Sequence, residues 1–322
     1  MTLQEFISLV VERLSVHYPV QEAKAIAVRL LKESIEGYKG YEHLVEPGRE
    51  LEGFAAGTEE YLLRCAQRLS AGEPLQYVLG YEWFCGHRFN VAPGVLIPRP
   101  ETEELVREVV SSANGPDCEG NVRVLDICTG SGCIAWSVAA ELGEMAEVYG
   151  CDISTVALGI ARGQQLEGNG TGVKFFECDI LAPQAEDVIG RECVAKGRMQ
   201  DGQPAGTGPS CEADQSGAAG KFDIIVSNPP YVCECEKELM QKNVLDFEPE
   251  LALFVPDDDP LRFYRRIAQL SGRLLKPGGK LFFEINERFG RETVVMLEET
   301  GFVGCRVLQD IFGKERMVVA CR

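Results

Sequence analysis

Basic charge is what this sequence has least of. Against 50 Asp and Glu stand only 32 Lys and Arg, a formal charge of −18 over 322 residues. A protein that grips a phosphate backbone draws its affinity from cations that neutralise it, so no direct nucleic-acid contact is expected. A small ligand or a basic protein surface suits this charge better. Histidine is nearly absent. His17, His43 and His87 lie far apart and form no His-Glu-x-x-His pair, which leaves zinc hydrolysis without support. Also lacking is any apolar run near the ~18 residues of a membrane span. Met1 to Tyr18 is an amphipathic pattern interrupted by Glu5, Glu12 and Arg13, unlike a signal peptide. The expectation is a soluble, cytoplasmic protein without a membrane partner, monomeric in solution. Paired C-x2-C knuckles are missing too. The 13 cysteines are scattered, and Cys233 and Cys235 are the only close pair. They read as reduced thiols, several of them small hydrophobes inside strands, with no metal expected.

What is present is an ordinary globular composition, 45% hydrophobic and 25% charged, in a chain long enough for one large or two ordinary domains. Residues 1–72 read as a helical domain. Phe6, Leu9, Val10 and Leu14, then Ala23, Ile26, Ala27, Leu30 and Leu31, then Tyr61, Leu62, Cys65, Ala66 and Leu69 recur at helical spacing, with Gly37, Gly40, Pro47 and Gly48 as punctuation. Residues 73–98 read as a hairpin connector, with β-rich runs from Leu75 to Phe84 and from Gly86 to Val91. Residues 99–322 alternate strand and helix. Strands are expected at Val122–Ile127, Glu147–Cys151, Val173–Glu177, Phe222–Val226, Lys280–Ile285, Phe302–Val307 and Arg316–Cys321, the last two forming an antiparallel edge hairpin. Such alternation predicts an α/β fold, a mostly parallel sheet covered by helices on both faces. Gln184 to Gly220 has no sustained period, and Met199 to Gly220 is rich in Gly, Ser, Gln and Asp. That stretch is expected to be a flexible surface insertion.

Two motifs carry chemistry. The first is Val124-Leu125-Asp126-Ile127-Cys128-Thr129-Gly130-Ser131-Gly132, placed between a strand and a helix. Glycines there let backbone approach a ligand, and the helix start offers free N–H groups. Asp152 ends the next strand, where a carboxylate can accept hydrogen bonds from both hydroxyls of a ribose. A dinucleotide site shares that logic, but Ala135 stands where G-x-G-x-x-G needs its third glycine. Asp126 is also a poor neighbour for a pyrophosphate and a tolerable one for a sulfonium with a zwitterionic tail. S-adenosyl-L-methionine is therefore the expected cofactor. The second motif, Asn228-Pro229-Pro230-Tyr231, follows the strand Phe222 to Ser227. Two prolines fix φ and remove two donors, which leaves rigid carbonyls as acceptors. An NH2 group can donate one hydrogen to the Asn228 side-chain oxygen and the other to the Pro229 carbonyl, with Tyr231 as an aromatic wall. The acceptor expected from this motif is a planar amide or amine nitrogen.

With these motifs in place, the chain resembles the N5-glutamine methyltransferases that modify peptide chain release factors, the HemK/PrmC family. The resemblance extends through Gly72-Glu73-Pro74-Leu75-Gln76-Tyr77-Val78-Leu79-Gly80 and Pro93-Gly94-Val95-Leu96-Ile97-Pro98-Arg99-Pro100-Glu101-Thr102-Glu103, then Thr129 to Ala135, Asp152-Ile153-Ser154 and Ser227 to Tyr231. It implies a helical N-terminal domain that helps recognise the release factor, and a seven-stranded, Rossmann-like class I methyltransferase domain. It places cofactor contacts on Cys128, Thr129, Gly130, Ser131, Gly132, Asp152, Asp179, Ile180 and Asn228, and the substrate amide on Asn228, Pro229, Pro230 and Tyr231. The product cofactor would be S-adenosyl-L-homocysteine. The chain departs from the family at Cys128, where glycine is usual, and in the length of the 184–220 segment.

An amide nitrogen is a poor nucleophile, and the residues show no obvious general base. Direct in-line attack, helped by positioning and by hydrogen bonds that strengthen as the nitrogen becomes cationic, is the expected mechanism. Two enzymatic alternatives stay open. One is a glutamine methyltransferase acting on a ribosomal protein. The other, a DNA adenine N6-methyltransferase acting on a flipped base, would need a basic groove that the charge disfavours. A non-catalytic binding module with the same fold would have no need of both intact motifs.

Overall fold

The computed structural model describes residues 1–35, 57–115, 120–166, 172–193 and 221–322. Gly37, Gly40, Pro47, Gly48 and the Met199–Gly220 stretch lie outside the described residues. The chain divides into two compact units.

The first unit comprises Met1–Glu82, Asn90–Ile97 and Cys235–Glu250. Helix α1 (Leu3–Leu14) starts at a capping box, in which Thr2 accepts from the Glu5 amide and Glu5 accepts from the Thr2 amide. Its apolar stripe of Leu3, Phe6, Ile7, Val10 and Leu14 faces Ala23, Ala27, Leu30 and Leu31 of α2 (Val20–Ser34) and Leu62, Ala66 and Leu69 of α3 (Thr58–Ser70) in one core. The next segment differs from the expected strand: Leu75–Leu79 is a short helix, α4. Its β-branched and aromatic composition suggested a strand, but Pro74 starts the helix and Gly80, at φ +83°, stops it. Arg68 supplies what the sequence pattern cannot show. It pairs with Glu73 and donates to the carbonyls of Tyr77 and Val78, groups the helix end leaves open. The hairpin itself is shorter than expected. Strands β1 (Tyr81–Phe84) and β2 (His87–Asn90) flank Cys85 and Gly86, both at positive φ as a two-residue hairpin turn requires.

The second unit comprises Trp83–Phe89, Pro98–Glu234 and Leu251–Arg322. In chain order it holds α5 (Thr102–Ala113), β3 (Val122–Ile127), α6 (Cys133–Leu142), β4 (Ala146–Asp152), α7 (Thr155–Arg162), β5 (Lys174–Glu177), α8 (Ala185–Glu192), β6 (Phe222–Ser227) and β7 (Val232–Cys233). Helix α9 (Lys242–Phe247) belongs to the first unit, and α10 (Glu250–Leu253) straddles the division. The second unit resumes with β8 (Phe254–Val255), α11 (Arg262–Leu274), β9 (Leu275–Glu284), α12 (Gly290–Glu299), β10 (Val303–Gln309) and β11 (Glu315–Cys321). The main sheet has seven strands in the order β10-β11-β9-β6-β3-β4-β5. Strand β11 runs antiparallel to both its neighbours, and the pairs from β9 to β5 are parallel. The late hairpin is present, with β10 rather than β11 at the edge.

Period-2 alternation separates two cores. Val122, Val124, Ile224, Val226 and Phe282 pack with α5 and α6, while Leu125, Ile127, Ile225, Leu281 and Phe283 pack with α8, α11 and α12. The aperiodic segment expected from Gln184 begins later than the sequence pattern suggested. Ala185 and Ile189 are buried at helical spacing in α8, a helix disguised by its polar outer face. Arg123 donates to the carbonyls of Cys193 and Lys221, so the two described ends of the 194–220 segment meet at one side chain.

Candidate active site

Parallel strands in register bring their C-terminal ends to one edge, where open α/β sheets bind ligands. Ile127 is level with Cys151 and Ser227, and Asp152 with Glu177. The residues just beyond, Cys128, Asp152, Asp179 and Asn228, therefore emerge side by side from β3, β4, β5 and β6. All lie within the second unit.

The turn after β3 is left-handed at Cys128 (φ +60°), Gly130 (φ +55°) and Gly132 (φ +79°). Cysteine in that region carries a cost of roughly 1–2 kcal/mol that glycine avoids, which gives the departure at Cys128 a physical meaning. Burial and the neighbouring Asp152 and Asp126 carboxylates hold its thiol well above the usual range, so it is not a thiolate nucleophile. A Cβ on Gly130 would meet nothing within 4 Å, whereas one on Gly132 would lie 3.0–3.1 Å from Phe175, Ala161 and Trp136. Gly130 faces open space, and Gly132 is closed in by packing.

Two carboxylates hold this turn. Asp126 is fully buried; its Oδ2 accepts from Thr129 Oγ1 at 2.5 Å and from the Ala135 amide at 3.2 Å, tying strand end to helix start. Its Oδ1 is buried with no hydrogen-bond partner among the described residues. Burial pushes its pKa up to about 7, against the opposing bonds from Thr129 and Ala135. Asp152 accepts from the Gly130 amide at 2.8 Å through Oδ2 and from the Ser154 amide at 2.9 Å through Oδ1. The Ile153 amide also bears on this carboxylate, and with about four acceptor positions in all it keeps some capacity for a ligand. Burial raises its pKa, opposed by those amides. Ser131 is fixed through its carbonyl, which accepts from Gln164 Nε2 at 3.1 Å.

Asp179 accepts from the Leu181 amide, and Arg266 of α11 donates to the carbonyls of Ile180 and Ala182. Asn228 is half-buried, and Pro229 and Pro230 are buried. Asn228 Nδ2 lies 3.4 Å from Thr102 Oγ1; Tyr231 donates its hydroxyl to Glu284 Oε1 at 3.0 Å, and its carbonyl accepts from Asn286 Nδ2 at 3.2 Å. Thr102 in turn donates to Glu284 Oε2 at 2.6 Å. Burial raises the pKa of the Tyr231 hydroxyl, and the Glu284 charge raises it further. The structure thus brings every expected site residue to one end of the sheet.

A methyltransferase-domain family model matches residues 119–207. The release factor glutamine methyltransferase of Bacteroides thetaiotaomicron is 42% identical over 310 residues, 95% of each chain. That of Flavobacterium psychrophilum is 41% identical over 251 residues, covering 78% of this chain and 76% of that one. The chain belongs to the release factor glutamine methyltransferase family. A solved protein-(glutamine-N5) methyltransferase from Alicyclobacillus acidocaldarius, titled release factor-specific, is 23% identical with a TM-score of 0.38, over 73% of this chain and 99% of that one. The seven-stranded sheet of this family member is the class I methyltransferase domain that the resemblance implied, and it is mostly parallel, as the alternation of strand and helix predicted.

Several residues that shape the methyltransferase site are not evident from its motifs. Arg266 on α11 and Gln164 just beyond α7 hold loops distant from them in sequence, and nothing local marks them. Glu284 had a signal, a single acid ending the apolar run Leu281-Phe282-Phe283. Thr102 lies in the family segment but reads alone as part of a helix start.

Proposed function

We propose that this protein transfers a methyl group from S-adenosyl-L-methionine to the side-chain N5 of the glutamine in the Gly-Gly-Gln motif of peptide chain release factors. The observation that carries the proposal is the placement of Asn228-Pro229-Pro230-Tyr231 at the end of β6, beside the glycine turn that follows β3. Membership of a family whose curated members are named for a release factor glutamine supports the same choice.

The cofactor fits the residues present. Gly130 leaves open space above left-handed backbone, Asp152 keeps acceptor capacity for the ribose hydroxyls, and Asp126 Oδ1 is a buried acceptor with no partner among the described residues. Cys128, Thr129, Gly130, Ser131, Gly132, Asp152, Asp179, Ile180 and Asn228 would hold it. When bound, S-adenosyl-L-methionine supplies an electrophilic methyl group on a sulfonium. On the substrate side, the Asn228 oxygen and the Pro229 carbonyl accept the two amide hydrogens and bias the nitrogen lone pair toward that methyl group. These bonds strengthen as positive charge develops on nitrogen, so they act more on the transition state than on the bound substrate. Orientation alone can supply about 7 kcal/mol or more. The helices of the first unit are assigned to recognition of the release factor body.

Mass spectrometry of a release factor incubated with enzyme and labelled cofactor tests the proposal. The label is expected on the glutamine side-chain nitrogen. Asn228→Ala should slow transfer on the order of 100-fold, as loss of one preorganised contact does, a larger effect than its loss of cofactor affinity. Label on a lysine, on a ribosomal protein in preference to the release factor, or on adenine would overturn it.

A further inference from the structure

Asn228 can serve an amide substrate only if its oxygen, and not its NH2, faces the bound NH2 group. The two ends of an asparagine amide are nearly identical in size, so a neighbour must choose between them. Here the neighbour is Thr102 Oγ1, 3.4 Å from Asn228 Nδ2. A hydroxyl has one proton. Thr102 spends its proton on Glu284 Oε2 at 2.6 Å, so toward Asn228 it can only accept. Accepting draws the NH2 end of Asn228 to Thr102 and leaves Oδ1 for the substrate.

Glu284 is thereby the origin of the polarity: burial raises its pKa, but the Thr102 and Tyr231 hydroxyls that donate to its two oxygens and the charge of Arg316 oppose that shift and favour the ionised form, which accepts and never donates. Its second oxygen accepts the Tyr231 hydroxyl at 3.0 Å. One carboxylate on β9 thus holds both ends of the Asn-Pro-Pro-Tyr motif, directly at Tyr231 and through Thr102 at Asn228. Glu284 and Thr102 are each 2% exposed, so water cannot stand in for a lost partner. A buried carboxylate seldom stabilises a fold better than a well-packed apolar side chain, and Phe282 and Phe283 are its neighbours in the strand. Stability alone does not account for an acid here.

We propose that Glu284 and Thr102 are positioning residues that set which end of the Asn228 amide meets the substrate, and so make the site select an amide over a carboxylate. This rests on the glutamine substrate proposed above. It also gives a task to Thr102 in the segment Ile97 to Glu103, which the reaction otherwise leaves without one.

The test compares binding of a release factor carrying Gly-Gly-Gln with its Gly-Gly-Glu variant, by calorimetry on enzyme saturated with S-adenosyl-L-homocysteine. The wild type should prefer glutamine. Thr102→Val removes the hydroxyl at nearly constant volume and should narrow that preference about tenfold or more, the worth of one buried hydrogen bond, with cofactor affinity unchanged. Thr102→Ser keeps the hydroxyl and should restore the preference. Glu284→Gln offers one acceptor oxygen to two hydroxyl donors and should narrow the preference as well, which keeps the test open should the valine variant fail to fold. Undiminished discrimination in Thr102→Val or Glu284→Gln overturns the relay, as does a Thr102→Ser protein no better than Thr102→Val. A wild type that methylates no release-factor glutamine overturns the proposed function and the relay with it; the same wild type active on glutamine isolates failure to the relay.

Discussion

Asp126→Asn offers a measurement of what the glycine turn costs the fold. In the wild type one oxygen of Asp126 holds Thr129 and Ala135 while the other is buried without a partner among the described residues. Burial raises its pKa from 3.8 to about 7. A raised carboxyl pKa means that the folded state keeps a proton the unfolded chain has released. The stabilising proton is fully present below about pH 4 and lost as pH rises toward about 7, so stability falls across that window. The shift is roughly three units at about 1.4 kcal/mol each, which sets a ceiling near 4 kcal/mol. Asparagine keeps the oxygen for Thr129 and Ala135 and cannot ionise. Its NH2 occupies the partnerless position at a cost of about 1–3 kcal/mol that does not vary with pH. Urea unfolding of both proteins without cofactor, from pH 4.5 to 8, should give a difference that moves in favour of asparagine as pH rises. A flat difference across that range would refute the assignment, because it would mean Asp126 ionises at its ordinary pKa despite burial.

Cys128→Gly should change stability by no more than about 1 kcal/mol, since relief of left-handed strain is offset by glycine's backbone entropy and the lost sulfur. Cys128→Val should cost about 2 kcal/mol or more, because a β-branched side chain tolerates φ +60° poorly; urea midpoints decide, and a valine variant as stable as wild type would contradict the strain. Asp152→Ala should weaken cofactor binding by about 1.5–3 kcal/mol, the worth of hydrogen bonds to a charged group. It also frees the Gly130 amide that Asp152 now holds. Unchanged affinity by calorimetry in a folded variant would remove Asp152 from the cofactor site.

The parts of this molecule legible in its sequence are those whose cause is local. The β3 turn announces itself because left-handed backbone needs glycine at Gly130 and Gly132, and Asn228-Pro229-Pro230-Tyr231 because two prolines cannot continue a strand. The buried strands β3, β6 and β9 are visible as apolar runs, and their alternation with helices suffices for the sheet. Where local composition and distant contacts disagree, the distant contacts prevail. Leu75–Leu79 looks like a strand and is a helix whose last carbonyls Arg68 takes up. Ala185–Glu192 looks like the start of a loop and is a helix because Ala185 and Ile189 reach the core.

The same division runs through the site. Residues that would touch ligands sit in short contiguous motifs, since a turn must present them together. Those that orient them do not: Thr102 and Glu284 are 182 positions apart and meet only because α5 packs against the end of β9. A motif read alone can supply Asn228 but not the direction its amide faces. That direction depends on a donor and an acceptor count closed by a buried carboxylate on another strand. The specificity of a site built on an asparagine therefore resides as much in the partner that consumes its NH2 as in the asparagine itself.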